Sequence, residues 1–437
     1  MLPDHGSGVQ KMTPMQITIA ITVLMAVLFM VPKMPFGLSA MLCCFLLAVT
    51  GVSPISEAFS GLSHSNVIMV ASMFGLSAAL QKTSLAFRVK DFIGVMAGKR
   101  DIVLMITLSL LFVVMLLVLP GMVLMVMFST FLGSLGDKSE VTPSRIILPM
   151  LMINVCWETC IPIGMGATQD FQANAYIENI VSAEQMLVFG DMFKVRILPA
   201  ILVIVYACWV WKKLPKRSLT INDDMSSKIK RGELPKWKEW LVYAIFLCVV
   251  LVLILNKYFG QLMFLIPGLG LVVLGLTKVL TPKEITQNVC SDTIWMLAGI
   301  MGITAALTST GAADAIGGAL YSLISWTDNG FLIMLIVCLF TAVMTTFLSN
   351  SGCRGVLIPL VAAMAVSAGM DPRGLICCVS IAAGYAFCFP TGSTTCAFAF
   401  ALGEYNPAKV LKWTLPLLLV LCVITAVCAE LVFPVFG

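Results

Sequence analysis

Ser349-Asn350-Ser351-Gly352-Cys353-Arg354-Gly355 is a polar stretch with an arginine, set between the apolar runs 331–348 and 356–368. A membrane-spanning helix needs about 20 consecutive apolar residues, and each run falls short of that or barely reaches it. Two short arms around a polar tip read as a re-entrant hairpin. The plainer reading is a surface loop between two ordinary spans. Irregular backbone at membrane depth is tolerated only where it is buried in protein or lines a cavity. A polar tip there is a candidate site for an ion or a polar solute.

Composition sets the frame for that reading. Of 437 residues, 59% are hydrophobic and 11% charged, with mean hydropathy +1.01. This is the profile of an all-α polytopic membrane protein and excludes a soluble domain. The apolar run that follows Met1 to Gln16 lacks a small-residue cleavage site and reads as a first span, not a signal peptide. The 15 cysteines are scattered, no pair is spaced Cys-x-x-Cys, and the two histidines are His5 and His64. A zinc or haem site is not expected, nor an organic cofactor. Buried cysteine acting as a small hydrophobe is the default.

Apolar spans fall at 16–31, 35–51, 66–80, 102–118, 122–135, 146–166, 196–211, 238–256, 261–279, 292–308, 331–348, 355–369, 374–392 and 411–433, with an interfacial piece at 312–326. Basic residues fix orientation. The loop 81–101 carries Lys82, Arg88, Lys90, Lys99 and Arg100, and the stretch 212–238 holds nine Lys and Arg residues, so both are expected on the cytoplasmic side. The segment 168–191 carries Asp170, Glu178, Glu184 and Asp191 with no basic residue and is expected outside. These assignments agree if 102–118 with 122–135, and 331–348 with 355–369, are re-entrant hairpins, leaving ten spans.

The two halves repeat. Cys160-Ile161-Pro162-Ile163-Gly164 matches Cys388-Phe389-Pro390-Thr391-Gly392, Ala78-Ala79-Leu80 matches Ala305-Ala306-Leu307, and Ile197-Leu198-Pro199 matches Thr414-Leu415-Pro416. The first repeat takes in 1–211: scaffold spans within 16–101, a hairpin at 102–135, a broken span at 146–168 and a last span at 196–211. A linker follows at 212–237. The second repeat takes in 238–437: scaffold spans within 238–308, a hairpin at 331–369, a broken span at 374–395 and a last span at 411–433. Five spans plus one hairpin per half, an odd number of crossings, make the repeat inverted. Inverted repeats with Gly/Pro-broken spans at matching places are the signature of a secondary transporter with its site near the midplane.

Chemistry concentrates in the second half. Pro390-Thr391-Gly392-Ser393-Thr394-Thr395 interrupts its span, and Thr345, Asn350 and Ser351 face that break from the hairpin. Carbonyl, amide and hydroxyl oxygens of this kind suit Na⁺, and freed N–H groups suit an anion. The first-half tip, Leu119-Pro120-Gly121-Met122, carries no oxygen-bearing side chain. Its broken span runs from Pro162 through Thr168 to Asp170, with Thr168 as its hydroxyl. Arg354 is read as the one basic residue at membrane depth, where an arginine is costly and marks function. Its planar fork suits a carboxylate, sulfate or phosphate. Glu158, one helix turn from Asn154, is the candidate partner. It could neutralise Arg354, carry a proton or bind a cation.

At these residues the chain resembles the divalent anion/sodium symporter family of the ion transporter superfamily. The family's Ser-Asn-Thr hairpin motif reads here as Ser349-Asn350-Ser351, followed by Pro359. Its broken-span motif reads as Pro390-Thr391-Gly392-Ser393-Thr394, and its closing segment as Lys412-Trp413-Thr414-Leu415-Pro416. The first-half match is Ser144-Arg145-Ile146-Ile147-Leu148-Pro149 and Pro162-Ile163-Gly164. The resemblance implies an elevator-type fold, a homodimer, and a transport domain built from both hairpins and both broken spans. It places Na⁺ at Thr345 and Asn350 with the carbonyls of Leu348 and Gly392. Substrate carboxylates would meet Ser349, Asn350, Ser351, Ser393 and Thr394, and Arg354, Glu158 and Thr168 complete the candidate substrate set.

The departures carry expectations too. The first Ser-Asn-Thr is replaced by Leu119-Pro120-Gly121, Met165 follows Gly164, and an extra first span usual in the family is missing. The first sodium site is then lost, or rebuilt around Glu158. The expected function is secondary transport of a small organic anion, a dicarboxylate, coupled to Na⁺. The alternatives are a Na⁺-independent exchanger or proton-coupled carboxylate carrier using Arg354 and Glu158, and an anion channel. An enzyme is not expected, since no His-containing cluster, Ser/His pair or phosphate loop occurs at depth. Nor is a nucleic-acid partner, since the basic residues track one membrane face. The expected partners are the small anion, the bilayer and a second copy, in a bacterial inner (plasma) membrane.

Overall fold

A computed structural model describes residues 12–31, 34–84, 101–117, 142–162, 164–214, 234–259, 262–346, 348–391 and 393–436, with residues 121, 124, 125, 128 and 216. Regular structure among these residues is all helical. The first half holds α1 (Pro14–Met30), α2 (Phe36–Val49), α3 (Ser65–Gln81), α4 (Asp101–Leu116), α5 (Pro143–Trp157), α6 (Gln169–Ile177) and α7 (Asp191–Val210). The second half begins with α8 (Lys236–Ile254), α9 (Leu262–Leu276), α10 (Pro282–Val289), α11 (Asp292–Ser309) and α12 (Ala312–Ser322). It continues with α13 (Gly330–Met344), α14 (Asn350–Ser367), α15 (Pro372–Ala382), α16 (Thr394–Leu402) and α17 (Pro407–Val432). Most of the first-half hairpin's second arm, most of the linker 212–237, and the tip residues Leu119 and Pro120 lie outside the described residues.

Some helix starts are written locally. Thr13 and Thr281 each precede a proline and form a capping box, with Gln16 and Glu284 respectively reaching back to the cap N–H. Others depend on distant carboxylates. Asp292 accepts the N–H groups of Phe36 (3.0 Å) and Gly37 (2.9 Å) at the start of α2. Asp170 does the same for Gly190 (2.7 Å) and Met192 (3.0 Å) at the start of α7. A carboxylate at a helix N-terminus meets orphan N–H donors and the positive end of the helix dipole.

Helices α5 and α15 form the centre of the molecule. Every residue of α15 but Arg373 is buried, and so is every residue of α5 but Arg145. In that position the few polar side chains of the two helices, such as Asn154 and Ser380, are enclosed by protein. Around them α5 packs on α7, α15 on α13, α14 and α17, and α7 on α17. To one side, α2 packs on α1 and α11, and α9 on α3 and α8. Large apolar side chains remain exposed on the outer helices, among them Val23, Leu198, Val205, Leu269 and Leu419. Four helical runs among the described residues are long and apolar enough to cross a membrane: Asp191–Lys213, Pro282–Ser309, Asn350–Ser367 and Pro407–Val432.

The structure moves three expected boundaries. The span read as 374–392 is helical only to Ala382, and its second arm is α16, which the sequence reading left outside a span. The first-half span read as 146–166 likewise stops at Trp157, and α6 is its second arm. Both helices thus end before the prolines that suggested the breaks. The stretch Asn350–Arg354 is the first turn of α14 and not loop, because the Ser349 hydroxyl caps the helix by accepting the Gly352 N–H at 3.1 Å.

Candidate functional site

The second-half tip spans Thr345 to Ser349, where α13 ends and α14 begins. The two arms meet near the tip, where the Cys353 Sγ reaches the Thr341 carbonyl at 3.9 Å. The Thr345 hydroxyl is fully buried, 3.1 Å from Asn350 Oδ1 and 2.7 Å from the carbonyl oxygen of Ala383. One hydroxyl proton cannot satisfy both acceptors at once. Three oxygens, a hydroxyl, an amide and a carbonyl, therefore converge where α15 has just ended. Of the expected cation set, Thr345 and Asn350 are brought together and Leu348 is buried beside them in the tip. Gly392 lies outside the described residues. Ala383 was missed, because its contribution is a backbone oxygen freed by the early end of α15.

The expected anion contacts are placed as follows. Ser349, Asn350 and Ser351 are half-buried at the start of α14. The tip lies close against the flanking helices: a Cβ on Gly352 would stand 3.3 Å from the Phe36 ring and 3.5 Å from the Phe29 ring. The Ser393 hydroxyl is engaged in capping α16, where it accepts the Cys396 N–H at 3.1 Å and donates to the Cys396 Sγ at 3.0 Å. Thr394 opens α16, with its side chain outside the described set. Thr168 is buried at the start of α6 and accepts a hydrogen bond from Gln172 Nε2 at 3.1 Å.

Arg354 is not the one basic residue at depth. Arg196, on α7, is 4% exposed. The sequence reading placed it at the edge of a span, but α7 begins at Asp191, which carries Arg196 more than a turn inside. Arg196 Nη2 donates to the Val155 carbonyl at 2.9 Å and Nη1 to the Thr159 hydroxyl, both at the frayed end of α5. Its Nε is buried without a partner, and so is the Oδ1 of Asn154. Asn154 Nδ2 lies 3.4 Å from Glu158 Oε2. Arg354 Nε donates to the Ser380 carbonyl at 3.0 Å on α15. The charges of Arg196 and Arg354 both act on Glu158. Two guanidiniums and one carboxylate thus share this region.

The two breaks touch. A Cβ on Gly384 would lie 3.2 Å from the Val155 carbonyl and 3.5 Å from Arg196 Nη2. Ala383 thus faces the second-half oxygens while its neighbour, Gly384, lies against the first-half break. Chemically, the arrangement offers hard oxygens for a small cation on one side and fixed guanidiniums on the other.

Two solved structures share the fold. MtrF of Neisseria gonorrhoeae, described as belonging to a class of antimetabolite efflux pumps, superposes with TM-score 0.61 at 12% identity, covering 98% of this chain and 97% of its own. The YdaH transporter of Alcanivorax borkumensis superposes with TM-score 0.60 at 15% identity, covering 97% and 100%. In sequence, the sodium-dependent dicarboxylate transporter SdcS of Staphylococcus saprophyticus is 24% identical over 266 residues, 55% of this chain and 50% of that protein. An uncharacterized transporter of Haemophilus influenzae is 27% identical over 172 residues, 39% and 37% respectively. The chain thus spans about half or less of the length of these curated relatives. The citrate transporter family model matches residues 26–322 and 262–436, which together take in nearly the whole chain. The chain is a multi-pass membrane protein and belongs to the citrate transporter family, a family of transporters of the divalent anion/sodium symporter type.

Proposed function

We propose that the chain is a secondary active transporter of a small carboxylate anion, of the citrate or dicarboxylate type, coupled to Na⁺ in the plasma membrane. The observation that carries the coupling is the convergence of Thr345 Oγ1, Asn350 Oδ1 and the Ala383 carbonyl oxygen at the second-half tip. Na⁺ is a hard cation that prefers such oxygens to sulfur or nitrogen. Relatives named as sodium-dependent dicarboxylate transporters, at 24% and 29% identity, support the same assignment. The substrate would meet the tip residues Ser349, Asn350 and Ser351, with Ser393 and Thr394 opposite.

We propose further that the two halves form an inverted repeat, that the transport domain moves as an elevator, and that two copies pair. The packing supports the repeat: α2 on α11 is mirrored by α9 on α3, α1 on α2 by α8 on α9, and α5 on α7 by α15 on α17. One observation favours a second reading. Arg196 and Arg354 set two guanidiniums in the field of the Glu158 carboxylate. That suits Na⁺-independent exchange, or proton coupling through Glu158.

The deciding experiment is uptake of labelled succinate and citrate into proteoliposomes, with and without an inward Na⁺ gradient, at two pH values. Na⁺-stimulated uptake is the expected result. Uptake that ignores Na⁺ and follows pH or internal anion moves the mechanism to Arg354 and Glu158. No uptake of either anion under any gradient sinks the carboxylate reading.

A further inference from the structure

We infer that the guanidinium of Arg196 is a tethered cation, seated in the oxygen site of the first-half break where a free cation would otherwise bind. Two oxygens of one short stretch hold the guanidinium, the Val155 carbonyl and the Thr159 hydroxyl; on the same stretch Asn154 Nδ2 lies 3.4 Å from Glu158 Oε2. A carbonyl and a hydroxyl, with the Asn154 amide and the Glu158 carboxylate on the same stretch, have the oxygen chemistry of a hard-cation site. Val155 has lost its helical partner because α5 stops at Trp157, so its carbonyl belongs to the negative end of the α5 dipole. A positive charge is favoured at that end, and Arg196 supplies it from α7.

The seat is well formed but incompletely satisfied. Two guanidinium nitrogens are bonded, while Arg196 Nε and Asn154 Oδ1 are buried and unpartnered. A purely structural arginine would more commonly have its buried donors met, because each unmet one costs free energy. Asn154 Oδ1 is directed at Gly121, on the apolar first-half hairpin, and occupies the space where a Cβ on that residue would stand. Only a residue without a side chain lets the hairpin close on this amide. Gly121 brings no side-chain oxygen to this amide, and a positive charge comes from across the break instead.

At the second-half break no cationic side chain is hydrogen-bonded to Thr345, Asn350 or Ala383 among the described residues. The two breaks meet at Ala383 and Gly384. One break thus carries its cation covalently and the other is left for a diffusible one. Resting on the transporter reading, this fixes one exchangeable cation per protomer at these two breaks.

The test uses the purified full-length protein, its thermal unfolding midpoint, and titration with NaCl or with low-millimolar guanidinium chloride against choline chloride. Wild type should be stabilised by Na⁺ with single-site saturation and be indifferent to low-millimolar guanidinium. Arg196→Ser opens the seat while keeping its oxygens. It should unfold at lower temperature in choline and recover on adding guanidinium, or show a second, weaker Na⁺-dependent phase. Arg196→Lys keeps the charge and should keep single-site Na⁺ behaviour even if less stable, so it remains informative should Arg196→Ser fail to fold. Unchanged stability of Arg196→Ser, or instability that neither ion relieves, overturns the inference. Two-site Na⁺ binding by wild type, or by Arg196→Lys, overturns it as well. None of these readouts needs a transported substrate, so failure of uptake would count against the carboxylate reading alone.

Discussion

The two broken spans begin from the same problem and end in different chemistry. Each has a helix that stops short, α5 at Trp157 and α15 at Ala382, leaving carbonyls without helical partners in the middle of a membrane protein. At the second-half break the freed Ala383 carbonyl faces Thr345 and Asn350 from a polar hairpin tip. At the first-half break the freed Val155 carbonyl faces Arg196, and the opposing hairpin presents Gly121. A freed carbonyl in a low-dielectric setting must be met by a donor or a cation. On the proposed repeat, the difference teaches that two halves can keep the break while exchanging what satisfies it.

The comparison breaks most directly at Asn350. Asn350→Ala removes one of the three oxygens and leaves the Arg196 side untouched. Na⁺ stimulation of uptake should fall to background, with any residual uptake independent of Na⁺. Full stimulation in this variant would falsify the assignment of the second-half oxygens to a cation. Next in size is Arg354→Lys, which keeps a positive charge but loses the Nε bond to the Ser380 carbonyl. A hydrogen bond to a charged group contributes about 1.5–3 kcal/mol, so uptake at subsaturating substrate should drop on the order of tenfold or more if that geometry serves the anion. Unaltered apparent affinity would reduce Arg354 to a packing role.

Gly384→Ala sharpens the comparison at the place where the breaks meet. Its Cβ would press on the Val155 and Ile381 carbonyls at 3.2 Å, tighter than ordinary contact, and would touch Arg196 Nη2 at 3.5 Å. Overpacking of this kind costs about 1–3 kcal/mol, read as a lower thermal midpoint with Na⁺ affinity reduced in parallel. A lower midpoint with unchanged Na⁺ affinity would show that the two breaks do not communicate. The smallest effect is expected for Asp292→Asn, whose side chain bonds to the start of α2 and to neither break. The change weakens the carboxylate cap on Phe36 and Gly37. Loss of a cap costs about 0.5–2 kcal/mol, so the midpoint should fall while the Na⁺ dependence of uptake stays as in wild type. A change in Na⁺ dependence here would mean that general destabilisation mimics the site effects.

Much of this was legible along the chain, and what was not shares a cause. The polar tip stood out because Ser349, Asn350 and Arg354 interrupt runs that are otherwise apolar. The breaks stood out because Pro162 and Pro390 recur in matching contexts. Yet the helices end several residues before those prolines, at points with no proline signal. Arg196 escaped notice because hydropathy places a charge at a span edge by default, whereas Asp170 accepts the Gly190 and Met192 N–H groups and lets α7 start at Asp191. Asp292 looked interfacial, and its actual partners lie 255 and 256 positions away.

By itself the sequence determined the membrane environment, the all-helical class, the place of the second-half tip and the side chains it offers. These follow from composition and from local backbone preferences, which act over a few residues and can be read in order. Tertiary structure alone decided which carbonyls are freed, which of them face a hydroxyl and which a guanidinium, and that the two breaks meet at Ala383 and Gly384. Every residue carries a carbonyl oxygen, so no letter in the sequence marks the one that binds. Its role is set by where the helix stops and by what a distant segment brings within about 3 Å of it.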